Sequence, residues 1–246
     1  MITVEEASAQ VLSRIPVLEA ERVPLLESLG RVLAEDVISD IDVAPFDNSA
    51  MDGYAVRYAD IATASEDTPV TLSVIEHIPA GVEPRLRVAP GQASRIMTGA
   101  PVPAGADAVV KVEVTRAGEN DGGTGGTVEI LATAKLGENI RGKAEEVRAG
   151  EAVLLTGELI GPAAIGLAAS VGHDHLMVRR RPRVAIVSTG DELVDVTEKP
   201  GPGKIRNSNS YSLAAQVLDA RAEPHMLGVA RDTAEHTRAL LSRAPE

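Results

Sequence analysis

Two stretches of this chain concentrate side chains able to do chemistry. The first, Pro45-Phe-Asp-Asn-Ser-Ala-Met-Asp-Gly-Tyr-Ala-Val56, sets Asp47, Asn48, Ser49 and Asp52 around the only Phe of the chain. Asp, Asn, Ser and Gly offer the backbone local hydrogen bonds or open φ/ψ choices that compete with helix and strand, so a shaped loop is expected. Polar loops between apolar runs are where binding and catalytic groups are usually mounted. The second stretch, Ser188-Thr-Gly-Asp-Glu192, follows directly on the β-branched run Val184 to Ser188, which reads as a fully buried strand. Its position is the carboxyl end of that strand, where ligands sit in open α/β sheets. Asp232 holds the equivalent place after a second strand, Met226 to Ala230. Two carboxylate-bearing loops at one sheet edge suit a hard divalent cation, which takes oxygen ligands and arrives with substrate phosphates.

Plainer roles compete at each position. Asp232, with Glu235 three residues on, has the spacing of a helix N-cap, and that role is favoured, although a first-turn carboxylate can also face an ion. Asn207 to Ser210 open another helix, where capping is favoured over anion binding. Gly201-Pro-Gly-Lys204 lacks the spacing of a phosphate loop. His173 and His175 flank Asp174 without a third ligand at metal spacing, so a surface turn is expected. The five histidines stand apart from any nucleophile elbow, and zero Cys removes disulfides, thiolate zinc sites and thiol nucleophiles. The run Arg179-Arg-Arg-Pro-Arg183 reads as a solvated linker in preference to a phosphate clamp.

Several elements must position these groups. Thr3 and Glu6 have capping-box spacing, and Ala7, Val11, Leu12 and Ile15 continue at helical period until Pro16. Leu26, Leu29 and Leu33 form a short apolar-periodic stretch, and Asp36 to Val43 is expected to pair as a strand. Val110, Val112 and Val114 alternate with polar residues in strand fashion, and the Gly-rich segment 117–127 caps a hairpin that returns through Thr127 to Leu131. Pro162 to Ser170 is a short Ala-rich helix. The last section reads strand, loop, helix, strand, helix, with Leu213, Ala214, Val217 and Leu218 on one helix face and a final helix over 233–242. The expected fold is a multidomain α/β chain: a discontinuous mixed α+β domain (1–45 and 143–178), an inserted all-β domain (46–142) and an incomplete parallel α/β domain (179–246).

At 246 residues and 44% hydrophobic, the chain has ample material for buried cores. Aromatic content of 2% leaves few base-stacking platforms, and a net charge of -12 opposes a nucleic-acid partner. Glu5 and Glu6 stand where a signal peptide carries Lys or Arg, and the most apolar stretch, Leu159 to Val171, is broken by Gly161, Pro162 and Gly166. Cytoplasmic residence without membrane association is the expectation.

The Pro45–Val56 segment resembles the signature loop of the molybdopterin molybdenumtransferase family. Gln92-Ala-Ser-Arg-Ile-Met-Thr-Gly-Ala-Pro-Val-Pro103, continued by Gly105 to Val110, matches that family's second motif. Arg183 to Leu193 and Gly228-Val-Ala-Arg-Asp232 are similar to the third and fourth. The resemblance implies a transferase that inserts molybdenum from molybdate into adenylylated molybdopterin, releasing molybdenum cofactor and AMP, with Mg²⁺ as the ion and a homodimer as the assembly. It implies catalytic roles for Asp52, Thr98, Glu192 and Asp232, with Glu192 and Asp232 holding the metal. Asn48, Ser49, Ser188, Thr189, Gly190 and Asp191 would bind substrate. A non-catalytic dimeric scaffold similar to the gephyrin E-domain is the alternative. The chain departs from the family pattern at Ala144-Glu145-Glu146 and at Asp232-Thr233, and its end at Glu246 precedes the family's Gly-rich loop and last β domain, so it is expected to be truncated.

Overall fold

The computed structural model describes residues 2–245; Met1 and Glu246, the chain's last residue, lie outside them. The chain is α/β and divides into two compact units, one formed by residues up to Val37 with those from Val153 onward, the other by Ile38–Ala152.

The second unit is built on a six-stranded sheet. From edge to edge its strands are Ala108–Lys111, Gly53–Val56, Gln92–Ile96, Val70–Ile78, Thr127–Ile130 and Thr115–Ala117. All neighbours are antiparallel except Val70–Ile78 and Gln92–Ile96. Successive side chains alternate between faces, so each central strand feeds two cores. Tyr54, Val56, Leu72, Val74, Val110 and Val128 fill one, and Ala55, Ile78, Ile96 and Val109 fill the other. Gly53 is a point of close backbone approach within the sheet: a Cβ there would lie 2.0 Å from the Val110 carbonyl oxygen.

The Gly-rich segment is the expected hairpin loop, with Thr115–Ala117 antiparallel to Thr127–Ile130, and its Gly122 carbonyl accepts the Tyr54 hydroxyl at 3.1 Å. The expected alternating strand through Val114 is not continuous. It ends at Lys111, and Val112–Val114 form a 3-10 turn that leaves Val112 exposed. The chain turns there because the Thr115 N–H and hydroxyl both donate to the Val112 carbonyl, the hydroxyl at 2.8 Å. Of the strand expected over Asp36 to Val43, only Val37–Ile38 forms.

In the first unit, Ala20–Pro24 pairs antiparallel with His175–Arg179. His175 thus begins a strand instead of lying in a surface turn, and its Nδ1 stands 2.9 Å from Asp174, whose carboxyl it holds below the usual carboxylate range. The helix Pro162–Ser170 forms as expected, entered through Gly161 with Pro at its first turn. The helix Val4–Leu12 has both halves of its capping box, yet none of its residues is buried. Its capping is local, whereas Val4, Val11 and Leu12 stay exposed.

The remaining elements are the parallel strands Arg183–Thr189 and Glu223–Ala230 with the helices Ser208–Asp219 and Ala234–Leu241. The strand Arg183–Thr189 is not fully buried: Ile186 is, but Val184, Ala185 and Val187 are only half-covered. Each strand of this pair has a single hydrogen-bonded neighbour, so flanking side chains cover less of it than they would in a wider sheet. Leu213 and Leu218, expected on a buried helix face, are exposed for the same reason, and only Ala214 of that face is buried. Among the described residues no helix is long and apolar enough to cross a membrane.

Candidate active site

The Pro45–Val56 segment is more regular than its composition suggests. Asn48–Ser49 pair with Ile140–Arg141, and Gly53–Val56 is a central strand. Only Ala50 to Asp52 between them form a turn. Ser49 is fully buried; its hydroxyl donates to the Met51 carbonyl at 2.6 Å and accepts from Met51 N–H at 3.3 Å. Its hydroxyl is thus engaged in folding the loop. Asn48 is 5% exposed, and its amide donates to Phe46 O at 3.3 Å.

Asp52 is exposed and firmly placed. The Thr98 N–H and the Thr98 hydroxyl both donate to its Oδ1, each at 2.7 Å. These bonds, the backbone one foremost and then the hydroxyl, hold its carboxyl below the usual carboxylate range, with the Arg95 charge adding to the effect. The structure therefore brings the two expected residues of this lobe together. The same two-bond clamp joins Asp36 to Thr156 and Asp195 to Thr197, so the clamp alone is a general way of fixing a loop. The neighbouring cation distinguishes Asp52. Arg95 is half-buried, its Nη1 donates to the Tyr54 hydroxyl at 3.2 Å, and its guanidinium carbon lies 5.7 Å from the ring centroid.

A folded-state pKa that is depressed contributes stability above the unfolded pKa and loses it as pH falls through the folded value. Thr98→Val keeps the backbone bond and removes the hydroxyl bond, so the Asp52 titration should move partway up toward an ordinary carboxylate, and protonation should begin at higher pH. Carboxyl-carbon NMR of Asp52 in both proteins tests this; an unmoved titration would show that the hydroxyl has no hold on the charge.

Two residues beside this loop were missed from sequence. Arg95 sits inside the second motif, three residues before Thr98, and that lone cation was its only signal. Arg141 lies opposite Asn48 in the two-residue strand pair and lines a cavity of about 140 Å³ with Asn48, Gly142, Glu145 and Glu146. The departure at 144–146 closes this turn: Glu145 accepts Gly142 N–H at 2.8 Å, and Ala144 takes φ 58°.

In the other unit, Ser188, Thr189 and Glu192 line a polar pocket of about 360 Å³ with Arg206, Asn207 and Ser208. Asn207 caps its helix as expected, accepting Ser210 N–H at 3.3 Å. The Ser188 hydroxyl donates to Asn207 Oδ1 at 3.1 Å and meets Ser210 Oγ at 2.7 Å, while Asn207 Nδ2 donates to Ser210 Oγ at 2.9 Å. This closed ring fixes the pocket wall, so Ser188 shapes the site while Thr189, exposed beside it, presents a hydroxyl without a protein partner among the described residues. Gly190 has φ 140°, and a Cβ there would come within 2.3 Å of Glu192 Oε2, so the missing side chain makes room for the carboxylate. Asp191 is exposed outside this pocket, and its carbonyl accepts Lys204 Nζ at 2.5 Å. Lys204, in the segment rejected as a phosphate loop, thus supplies a cation at the strand end.

Asp232 does not cap the last helix. Thr233 does, accepting His236 N–H at 3.2 Å, because the helix begins at Ala234, one residue later than the Asp-to-Glu spacing implied. Asp232 is left exposed, with no protein hydrogen bond among the described residues. His236, also missed from sequence, accepts Arg231 N–H at Nδ1 (3.0 Å) and lines a separate concavity with Glu235.

Thr189 pairs with Ala230 across the parallel strands, and Gly190 N–H donates to Ala230 O at 3.1 Å. Glu192 and Asp232 therefore leave from adjacent strand ends, each two residues beyond that last bond. Among the described residues no three His, Cys, Asp or Glu side chains gather as a metal cage. Mg²⁺ keeps several waters and is held by one or two carboxylates plus substrate phosphates, so this donor set fits it in kind.

The first 2–172 residues match the model of the MoeA N-terminal region (domain I and II), and residues 185–246 match that of a probable molybdopterin binding domain. The chain is 42% identical over 236 residues to a molybdopterin molybdenumtransferase of Nostoc sp., covering 94% of this chain and 53% of that protein. It is 43% identical over 243 residues to molybdopterin molybdenumtransferase 2 of Mycobacterium tuberculosis, covering 99% and 58%. The crystal structure of a molybdopterin biosynthesis moeA protein from Pyrococcus horikoshii superposes with a TM-score of 0.88 at 34% identity, over 99% of this chain and 63% of that one. The chain spans about half the length of the curated relatives it matches. With both family segments matched in order and the motif residues held in two built sites, the chain belongs to the molybdopterin molybdenumtransferase family.

Proposed function

We propose that this chain supplies the substrate-handling lobes of a molybdenum insertion reaction, in which adenylylated molybdopterin and molybdate give molybdenum cofactor and AMP. The observation that carries this reading is that Glu192 and Asp232 leave adjacent strand ends with carboxylates unpartnered among the described residues, and the clamped Asp52 of the other unit supports it separately. The substrates are anionic, so a carboxylate near them must act through a cation or hold a proton. The depressed Asp52 pKa favours the first role for that residue.

In this reading, residues 179–246 bind the pterin phosphate. Thr189 offers a hydroxyl, and the ring of Ser188, Asn207 and Ser210 holds the wall, while Lys204 is held on the Asp191 carbonyl just beyond the strand end. Glu192 and Asp232 would hold Mg²⁺, which when bound neutralises charge on the bridging phosphates. Thr98 keeps Asp52 ionised and oriented, and Arg95 and Arg141 offset substrate charge on that lobe. A homodimer in the cytoplasm would let each lobe meet the complementary lobe of a second copy.

The metal part is tested with AMP as probe. Calorimetric binding to this chain should be several-fold tighter with Mg²⁺ than without, and Glu192→Gln or Asp232→Asn should each remove most of that difference. Equal binding with and without Mg²⁺, or a Mg²⁺ effect surviving in both variants, would discard these carboxylates as the metal ligands.

A further inference from the structure

The arginine run after His175–Arg179 is, as expected, an exposed link without helix or strand at residues 180–182, but it also lines a pocket. Arg179 lies within that strand, and its Nη1 donates to Leu18 O at 3.3 Å. With Arg31, Arg180, Arg181 and Arg221 it lines a pocket of about 290 Å³ inside the first unit. The walls between them are apolar: Val32, Leu159 and Pro182. None of these residues belongs to the strand-end pocket of Ser188 and Glu192.

The five guanidiniums are unequally satisfied. Arg31, only 8% exposed, is bound to Glu21 and also donates to the Arg179 carbonyl at 2.7 Å. Arg180 faces Glu19 at 3.7 Å. Arg181 and Arg221 have no side-chain partner among the described residues, although Arg221 takes φ 62° and lays Nη1 over the backbone of Gly30. Arg31, Arg179 and Arg180 are engaged by Glu21, Glu19 and main-chain carbonyls, which leaves Arg181 and Arg221 as the two uncompensated cations of the pocket, in a chain whose net charge is -12. Holding like charges together beside low-dielectric walls is unfavourable until an anion arrives, and the same walls focus the field on it. Guanidinium forks match phosphate oxygens bidentately, and several forks around one point suit a dianion with three free oxygens better than a carboxylate with two. The volume lies at the small end of the range for ligand pockets.

We propose that this pocket is a binding site for a phosphomonoester with a small apolar body, independent of the strand-end site. The phosphate would meet Arg181 and Arg221, and the body would rest against Val32, Leu159 and Pro182.

Phenyl phosphate is a suitable probe on the whole chain, by calorimetry and amide NMR. Saturable binding is expected, with shifts centred on Val32, Arg181 and Arg221. Arg181→Ala and Arg221→Ala should each weaken it about tenfold, and together about a hundredfold, since each removes a charge-assisted contact. Both side chains are exposed, so unchanged thermal unfolding will show that the variants fold. Arg221→Lys, which keeps the charge and loses the fork, should fall between wild type and Arg221→Ala. Equal affinity for inorganic phosphate would overturn the apolar half of the proposal, and equal affinity for benzoate the phosphate half. No binding, or shifts centred on Thr189 and Glu192 instead, would overturn the site itself.

Discussion

On the function proposed above, Asp52→Asn should lower the rate of molybdenum insertion by about a hundredfold, the loss typical when one electrostatic group is removed from a reacting centre. The amide oxygen can still accept both bonds from Thr98, so the loop geometry survives and the loss reports charge alone. Reconstitution of an apo-molybdoenzyme, with this chain added as the proposed insertion component, measures the rate. Asp36→Asn is the matched control: Thr156 clamps Asp36 through the same two bonds, at 2.7 and 2.8 Å, and no part in catalysis is assigned to it. Asp36→Asn should leave the rate near wild type. Equal losses in the two variants would mean that the clamp serves only to fold loops, and full activity in Asp52→Asn would remove that residue from the chemistry.

The largest effect on stability is expected at Gly53→Ala. The new methyl group would meet the Val110 carbonyl oxygen at 2.0 Å and the Lys111 Cα at 3.0 Å, both backbone atoms of the neighbouring strand. Neither can turn aside as a side chain could. The strand Gly53–Val56 would have to part from Ala108–Lys111, disturbing the register Gly53↔Lys111 and Tyr54↔Val110 that seats the unit's largest buried side chain. Overpacking of this kind costs about 3 kcal/mol, which should lower the thermal midpoint by roughly 10 °C. Gly53 also directly follows Asp52, so the same change should loosen the turn that carries this carboxylate. Calorimetric unfolding checks the prediction, and a midpoint within a degree of wild type would show that the two strands have room to separate.

What lay open in the sequence was local. The Thr3–Glu6 capping box, the Asn207 cap, the Gly161-Pro162 helix entry and the Gly-rich hairpin each depend on residues within a few positions of one another. The family resemblance of the ordered motifs placed Asp52 with Thr98, and strand-end position, read from hydrophobic period, placed Glu192 with Asp232.

Other features depended on pairings that no local pattern announces. Arg141 reaches Asn48 across ninety-odd residues of chain, and Arg221 reaches Gly30 across still more. Ser49 and Ser188 carry the right chemistry for ligand contact, yet neighbouring backbone and side chains engage both hydroxyls in the fold. A one-residue difference in where a helix starts moved the cap from Asp232 to Thr233 and freed a carboxylate. The sequence by itself determined which residue types stand at each strand end and turn, since that is set by period and spacing. Only the tertiary structure decided which of their polar groups are satisfied internally and which remain for a ligand, because hydrogen-bond satisfaction depends on partners brought near by folding.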